Sequence, residues 1–254
     1  MNNIVLHLVR KNTQLKASFI QNQILNHIKF EPKVIFYENR SSNIDGGFAT
    51  ELPENIIVHE LEKKHTLVEK IQYKILKQIN SISTKDLLKQ IKQLNPRIIH
   101  LHYGTDAGLF LRVIRNINIP KVVSFYGYEC SGFPKRFLGL GKYYLNYRTF
   151  RYADKILAMS DDMKKDLIET GCPKEKIIVH YHGAKVKRFK AVHNYKEDPI
   201  VSFLIISGFA AQKGHVFLLK SFKKALKFNT NISLTIVGDG VEKENIVKAI
   251  LDLK

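Results

Sequence analysis

Short apolar runs alternate with longer stretches of helical hydrophobic spacing along most of the chain. The runs predict buried strands, and apolar residues that recur every three or four positions predict the helices between them. The strands are predicted at 4–9, 33–37, 56–58, 97–102, 121–125, 155–159 and 176–180, and the helices at 19–28, 62–93, 106–115, 134–152 and 161–170. This alternation predicts an α/β fold with a Rossmann-like, doubly wound parallel sheet.

Polar residues mark several boundaries of these elements. Ser18 is suited to cap the first helix and Ser160 to cap the helix over 161–170, which Gly171 ends. The long pattern over 62–93 is interrupted near 81–84, and Pro96 ends it. The polar segment 38–54, with its glycine pair and proline, predicts a loop.

A second α/β unit begins after a polar segment without periodicity. Residues 1–186 are predicted to form one domain, 187–199 a linker, and 200–254 part of a second domain. That second part has strands at 200–206 and 232–237 and helices at 216–228 and 241–253. A parallel sheet of two strands leaves much of its surface uncovered, so we expect this domain to be truncated at its carboxyl end.

Composition restricts the partners of the chain. The formal net charge is +18, and 44% of the residues are hydrophobic, which predicts a folded protein that attracts phosphorylated small molecules or anionic surfaces. The basic residues form no compact run, so nucleic acid is not an expected partner. Two cysteines, no leader pattern at Met1 and no apolar run of membrane-spanning length predict a cytoplasmic protein, with a peripheral membrane contact left open.

Glycines follow several of the predicted strands. Gly104, Gly127, Gly208 and Gly238 each stand at a strand end, and Lys213 precedes the helix that follows Gly208. A strand, a glycine and a helix amino terminus together can hold a phosphate group, and a lysine adds charge. For any single glycine, a plain turn between a strand and a helix is the more common explanation. Neither a Walker motif nor a dinucleotide-binding glycine motif occurs.

Two histidines, His100 and His102, alternate on one predicted strand and therefore share a face of the sheet. A metal site needs at least one further ligand, and the sequence offers no nearby cysteine or carboxylate cluster, so no metal is predicted. His102 at the strand end is a candidate to face the substrate, and a structural histidine is the alternative.

A basic and aromatic segment follows the fifth strand. Its tyrosines and basic residues predict either a surface that contacts membrane lipids or a half-buried helix with basic side chains at its edges. Together with Phe150, they are Lys142, Tyr143, Tyr144, Tyr147, Arg148, Arg151 and Tyr152.

Six segments together resemble GT-B glycosyltransferases of the RfaG-like, family 4 type, close to the colanic-acid and exopolysaccharide branch. They are Ala17-Ser-Phe-Ile-Gln-Asn-Gln-Ile24, Ile99-His-Leu-His-Tyr-Gly104, Ser124-Phe-Tyr-Gly-Tyr-Glu129, Met159 to Gly183, Ser207-Gly-Phe-Ala-Ala-Gln-Lys-Gly-His215 and Leu234-Thr-Ile-Val-Gly-Asp-Gly240. They occur in the family's order over nearly the whole chain.

The resemblance implies transfer of a sugar from a nucleotide-diphosphate sugar to a glycan or lipid-linked acceptor, in the manner of a hexosyltransferase of cell-surface polysaccharide biosynthesis. It implies no cofactor and no metal, with the donor as co-substrate. It places His102, Tyr126 and Glu129 in catalytic positions, with Ser18, Gly104 and Gly127 in loops on the acceptor side. Gly208, Lys213, Gly238 and Asp239 match the part that binds the donor phosphates.

The chain also departs from the family pattern. Tyr126 stands where the family has a histidine, Phe209 where it has a phosphate-binding arginine, and the two-glutamate motif for the donor sugar is absent. An alternative function is therefore a non-catalytic module that binds the acceptor, or one half of a split glycosyltransferase.

Overall fold

The computed structural model describes residues 3–39, 52–53, 56, 58–63, 66–67, 71, 73, 77–136, 138–183, 186 and 199–252. The chain divides into two compact units, Met1–Ala184 and Lys185–Lys254, here called unit 1 and unit 2. The division lies two residues before the predicted domain end at 186. Of the predicted linker 187–199, all but the last residue lies outside the described part.

Unit 1 contains a sheet of seven strands, all of them parallel. The strands are β1 Ile4–Lys11, β2 Glu31–Glu38, β3 Val58–Glu60, β4 Ile98–His102, β5 Lys121–Ser124, β6 Lys155–Ala158 and β7 Ile177–Val179. Their spatial order is β3-β2-β1-β4-β5-β6-β7. The order reverses between β1 and β4, which is the position where open α/β sheets bind their ligands.

The described helices of unit 1 cover both faces of this sheet. They are α1 Ser18–Leu25, α2 Ser81–Leu94, α3 Gly104–Ala107, α4 Leu111–Ile114, α5 Tyr128–Ser131, α6 Leu140–Leu145 and α7 Asp161–Thr170. Single turns of 3-10 helix lie at Asn12–Lys16, Gly108–Phe110, Phe133–Lys135 and Lys174–Lys176, and a π-helical turn at Asn146–Phe150 follows α6. The fold class predicted from the alternation of elements is confirmed.

Alternate residues of the strands face two separate apolar clusters. Ile35 belongs to the large cluster on one face, whereas its neighbours Val34 and Phe36 belong to a smaller one on the other face. Ile20 and Ile24 of α1 cover the smaller cluster. His7 of β1 lies in register with His100 of β4, so both histidines point to the face that α1 covers.

Several element boundaries differ from the prediction. Ser18 is the first residue of α1 and not its cap, because Ala17 occupies the cap position without a side-chain hydrogen bond. The described third strand begins at Val58, so Ile56 lies outside it. Residues 81–84 begin α2 instead of breaking a helix, because the Asn80 side chain accepts a hydrogen bond from the Ser83 amide.

Other boundaries agree with the sequence. Ser160 caps α7 through its hydroxyl, which accepts from the Met163 amide, and Gly171 follows the helix in the left-handed conformation.

The helix predicted over 134–152 is divided in the structure, because a 3-10 turn ends at Lys135 and α6 begins only at Leu140 after the left-handed Gly139. From α6 onward the segment is half-buried, with Leu145 and Phe150 buried and Tyr143 and Tyr147 exposed.

Unit 2 contains two parallel strands and two helices in its described part. They are β8 Val201–Ile206, β9 Ile232–Val237, α8 His215–Ala225 and α9 Lys243–Asp252, with a 3-10 turn at Ala211–Lys213. Large apolar side chains on both strands remain exposed, among them Phe203, Leu204, Ile206 and Val237. The expectation that this unit buries little of its apolar surface agrees with these exposures.

Candidate functional site

The loops after β4 and β5 lie side by side at the carboxyl edge of the unit 1 sheet. The paired strands align His102 with Ser124, and the next residues of both strands form the two loops. Gly127 lies in the loop after β5, whereas Gly104, which was predicted in a loop, begins α3 directly after Tyr103. The exposed Ser18 begins α1, the helix that covers the same face as His102.

Tyr126 is at the centre of a group of aromatic rings at this edge of the sheet. Its ring lies 4.7 Å from the rings of Phe19 and Tyr103 and stacks on His182 at 5.5 Å. Its hydroxyl points into the protein, where it lies 2.5 Å from His102 Nδ1 and donates to Gln23 Oε1 at 3.0 Å. Burial raises the pKa of Tyr126 well above that of a free phenol.

His102 is fully buried, so its imidazole does not face a bound substrate directly. The alternative that the sequence left open, a structural histidine, describes this position better. Any influence of His102 on substrate passes through its hydrogen bond to Tyr126.

A chain of hydrogen bonds continues from His102 into the sheet. His102 Nε2 lies 2.9 Å from His7 Nδ1, and His7 Nε2 lies 3.0 Å from His27 Nε2. Burial lowers the pKa of His7 and His102 far below 6.5 and that of His100 to about 3, so these imidazoles are neutral at pH 7. The sequence prediction missed His7 and His27, because their separation from His102 along the chain hides the contact.

Glu129 connects the residues that follow β4 and β5. Its side chain is 1% exposed and accepts hydrogen bonds from the Gly104 amide at 3.1 Å and the Tyr126 amide at 3.4 Å. Burial raises the pKa of Glu129 to about 7, although the amide donors act in the opposite direction. Glu129 therefore acts on the site by positioning Tyr126, and its carboxyl group is not on the surface.

Gly104 and Gly127 serve different needs. A side chain at Gly104 would meet the buried ring of Phe125 at 2.1 Å, so this glycine is required for packing. Gly127 has a φ of 126° with open space around its Cβ position, so it is required for the backbone conformation and leaves room for a ligand.

A cavity of about 630 Å³ opens beside these loops within unit 1. It is lined by Arg10, Tyr73, Lys77, Thr105, Asp106, Leu109, Tyr128, Phe133, Arg136, Leu140, Gly141 and Tyr144. Arg10 binds Glu38 at 2.9 Å, and Gln14 donates to Asp106 at 2.7 Å, which orders the cavity floor. The sequence prediction missed Arg10 and Asp106, although the strand-end rule applies to Arg10 as it does to His102.

The candidate phosphate loop of unit 2 surrounds the start of α8. Lys213 is exposed and precedes Gly214, the residue at the amino end of this helix of 11 residues. A side chain at Gly208 would make only an ordinary contact with the Asp239 carbonyl oxygen at 3.9 Å, whereas a side chain at Gly238 would meet the Ser207 carbonyl oxygen at 2.0 Å. Gly238 therefore permits the two loops to pack and is not required for access of a ligand. Asp239 forms an ion pair with Lys243 at 3.4 Å.

Phe209, which stands in place of the arginine of the family pattern, points inward. It is buried and packs edge-on against His215 with ring centroids 5.1 Å apart. Within the described loop, Lys213 is the cation placed beside the helix start.

Comparisons with known proteins agree with this architecture. An uncharacterized glycosyltransferase of Methanocaldococcus jannaschii, MJ1059, is 26% identical over 221 residues, which cover 78% of this chain and 51% of that protein. The crystal structure of Anabaena Alr3699/HepE in complex with UDP matches with a TM-score of 0.71 at 14% identity, over 100% of this chain and 65% of HepE. The lipopolysaccharide outer core galactosyltransferase WaaB matches with a TM-score of 0.60 at 15% identity, over 98% of this chain and 64% of WaaB.

The chain thus spans about half of its curated relative and less than two thirds of these solved structures. Their shared architecture is GT-B, which confirms the predicted fold. The sequence profile of Glycosyltransferase Family 4 matches residues 47–188, which is more than half of the chain. The chain therefore belongs to Glycosyltransferase Family 4.

Proposed function

We propose that this chain takes part in the transfer of a sugar from a nucleotide-diphosphate sugar to a glycan or lipid-linked acceptor in cell-surface polysaccharide biosynthesis. In this proposal unit 1 binds the acceptor and unit 2 binds the donor phosphates. Family membership supports the reaction class, and the UDP bound by HepE and the lipopolysaccharide substrate in the name of WaaB support its finer features. The two free cysteines, Cys130 and Cys172, fit a reducing compartment such as the cytoplasm.

The observation that carries the donor assignment is the loop before α8. The first amides of a helix have no partner within the helix and attract anions, and Lys213 adds a positive charge at the same place. Gly208 leaves space there for a phosphate group to approach the backbone. Such donors would stabilise the negative charge that develops on the leaving nucleotide diphosphate.

The acceptor assignment rests on the cavity of unit 1. Its lining combines Lys77 and Arg136 with aromatic rings and two leucines, and its Arg10 is paired with Glu38 and lies 3.8 Å from Asp106. Aromatic faces suit sugar rings or apolar chains, and the basic groups suit an acceptor that carries phosphate. This lining favours an anionic lipid-linked acceptor over a neutral glycan.

Removal of the Lys213 charge tests the donor assignment. We expect Lys213→Ala to weaken UDP or GDP binding about tenfold, because one charged hydrogen bond to phosphate contributes about 1.5 kcal/mol. Calorimetric titration measures this effect. Lys220→Ala, which removes an exposed lysine of α8 itself, serves as the control and should bind as the unmodified chain does. Equal nucleotide affinity in the two variants would disprove the role of Lys213.

A surface around α6 favours peripheral contact with a membrane. Leu138, Leu140, Tyr143 and Tyr147 are exposed there, and Lys135, Arg136, Lys142 and Arg151 lie among them in the sequence. Exposed apolar residues beside basic ones bind anionic bilayers. No helix in the described part of the chain has the length and apolar character needed to cross a bilayer.

Vesicle binding tests this surface. Leu138 is fully exposed, and we expect Leu138→Glu to reduce co-sedimentation with phosphatidylglycerol vesicles about tenfold, because insertion of a leucine contributes about 1.5 kcal/mol. Ile28→Glu changes a similarly exposed apolar residue in a different part of unit 1 and should have only the smaller effect of one added charge. If both variants lose binding equally, the contact is purely electrostatic and the surface assignment is wrong.

A second candidate function is one half of a split glycosyltransferase that binds its acceptor in unit 1. The exposed apolar side chains of β8 and β9 favour it, because large uncovered patches of this kind bind further polypeptide. Co-expression with a separate segment that carries the two-glutamate motif would then give a stable complex and a turnover of UDP-sugar that neither part has alone. Substantial turnover by the chain without such a segment would contradict this candidate.

A further inference from the structure

Three buried imidazoles converge inside unit 1, away from the proposed substrate contacts. His7, His100 and His102 each offer a ring nitrogen within 4.8 Å of those of the other two. No other trio of histidine, cysteine or carboxylate ligands comes as close in the part of the chain that the structure describes. The sequence had suggested two histidines without a third ligand, and His7 supplies it.

The register of the sheet produces this convergence. His7 of β1 pairs with His100 of the neighbouring strand β4, and His102 follows on the same face one pleat later. Because all three side chains stand on rigid, fully paired central strands, their relative positions are determined by the fold and not by a loop. Such preorganisation is what a ligand site requires.

The outer nitrogens of the three rings are already engaged with other side chains. His100 Nε2 lies 2.8 Å from Ser124 Oγ, His102 Nδ1 lies 2.5 Å from the Tyr126 hydroxyl, and His7 Nε2 lies 3.0 Å from His27 Nε2. In metal sites the second nitrogen of a ligating histidine is almost always held by a partner of this kind, which fixes the tautomer and the orientation of the ring.

Gln23 determines the tautomers of two of the rings. The hydroxyls of Tyr126 and Ser124 both donate to Gln23 Oε1, at 3.0 and 3.4 Å, so their oxygens accept hydrogen bonds from the histidines. In this orientation of the Gln23 amide, His102 carries its proton on Nδ1 and His100 carries its proton on Nε2. The lone pairs of these rings are consequently on His102 Nε2 and His100 Nδ1.

The ring of His7 can also present a lone pair to the ion, after its proton moves from one ring nitrogen to the other. His7 presents a lone pair on Nδ1 when its Nε2 proton is donated to His27, and the half-buried His27 can accept it while its own proton lies on Nδ1. No charge has to enter or leave the cluster for this change. The three lone-pair nitrogens are then His7 Nδ1, His100 Nδ1 and His102 Nε2.

We propose that His7, His100 and His102 form a binding site for one transition-metal ion of the zinc class. Three imidazole donors without carboxylate oxygens suit Zn²⁺, Co²⁺ and Cu²⁺ and do not suit Mg²⁺ or Ca²⁺. Nitrogens around a tetrahedral ion lie about 3.3 Å apart at bond lengths of about 2.0 Å. On binding, the distance between His7 Nδ1 and His102 Nε2 would increase slightly from 2.9 Å. Nitrogen–nitrogen distances in the trio that exceed about 3.3 Å, which reach at most 4.8 Å, would decrease.

The ion would act as a structural clamp and not as part of the transfer reaction. It would join β1 to β4 and, through Tyr126 and Ser124, connect to the loop after β5. This site is independent of the proposed glycosyl transfer, for which the resemblance implies no metal.

Metal titration of the whole chain tests the proposal. We expect one equivalent of Co²⁺ to bind with visible absorption bands of a tetrahedral site, in which water supplies the fourth ligand, and Zn²⁺ to displace it, whereas Mg²⁺ has no effect. His7→Gln should weaken Co²⁺ binding at least 100-fold. His180→Gln removes one exposed imidazole of the same unit and should leave binding unchanged. Equal binding by both variants would overturn the site.

Two further measurements remain decisive if His7→Gln does not fold. Electron paramagnetic resonance of the Cu²⁺-loaded, unmodified chain should report three coordinated imidazole nitrogens, and fewer than three would overturn the proposal. Tyr126→Phe should weaken Co²⁺ binding 10- to 100-fold, because it removes the partner that orients His102. Unchanged affinity in Tyr126→Phe would show that the bound ion lies elsewhere.

Discussion

Replacement of Glu129 by glutamine is expected to change the dependence of stability on pH by about 2 to 3 kcal/mol between pH 5 and pH 8. The pKa of Glu129 is about 7 in the folded protein, because burial disfavours its charge, against 4.5 in the unfolded chain. A raised pKa means that the folded state binds the proton more tightly. The stabilising contribution is therefore complete below pH 4.5 and is lost as the pH rises through 7.

Urea unfolding of both proteins, followed by circular dichroism, measures this change. From pH 5 to pH 8 the unmodified chain should lose about 2 to 3 kcal/mol of unfolding free energy relative to Glu129→Gln, because the variant has no group to ionise. Titration of the buried histidines is common to both proteins and cancels in the difference. Glu169→Gln, which removes an exposed carboxyl group of the same unit, should follow the unmodified chain. Parallel curves for Glu129→Gln and the unmodified chain would contradict the prediction.

The glutamate also connects the loop after β5 to the start of α3. Its two oxygens satisfy the amides of Gly104 and Tyr126, which follow different strands of the sheet. Loss of either acceptor would leave a buried donor without a partner, at a cost of about 1 to 3 kcal/mol. Tyr126 would then lose the constraint that directs its hydroxyl toward His102.

Replacement of Gly104 by alanine is expected to destabilise unit 1 by about 3 kcal/mol. The new methyl group would lie 2.1 Å from the ring of Phe125, whose side chain is fully buried and cannot move aside without disturbing the core. Overpacking of a dense interior usually costs about 1 to 3 kcal/mol, and a clash with a rigid ring falls at the upper end. The midpoint of urea unfolding measures the loss.

A matched control separates this clash from a general effect of alanine. Gly183 has an ordinary φ and no atom within 4 Å of its Cβ position, so Gly183→Ala should change stability by less than about 0.5 kcal/mol. Phe125→Leu combined with Gly104→Ala should be more stable than the sum of the two single effects predicts, because the smaller side chain relieves the clash. Simple additivity would mean that the two residues do not interact.

Glu129 and Gly104 show what a pattern of residues at strand ends can predict and what it cannot. The pattern located Gly104, Tyr126, Gly127 and Glu129 at one edge of the sheet, and the structure brings them together there. It could not distinguish a glycine that leaves space for a ligand from one that leaves space for Phe125, because that difference depends on a neighbouring strand. For the same reason, the pattern could not indicate that Glu129 is buried.

The candidate site likewise contains residues that the sequence predicted and residues that it did not. Lys213 was predicted from a local pattern and lies exposed beside a helix start, as the local sequence requires. His7, Gln23 and His27 were not predicted, because they meet His102 and Tyr126 only through the order of the strands and the placement of α1. Contacts of this kind have no signature in any one window of the sequence.

The sequence by itself determined the fold class, the existence of two α/β units and the strand ends that carry the candidate chemistry. Periodicity and turn residues act over a few positions and are visible in the chain. Only the tertiary structure decided which side chains are buried, which hydrogen bonds they form and which pKa values shift. Burial and register depend on neighbours that are distant in sequence, as His7 beside His100 demonstrates.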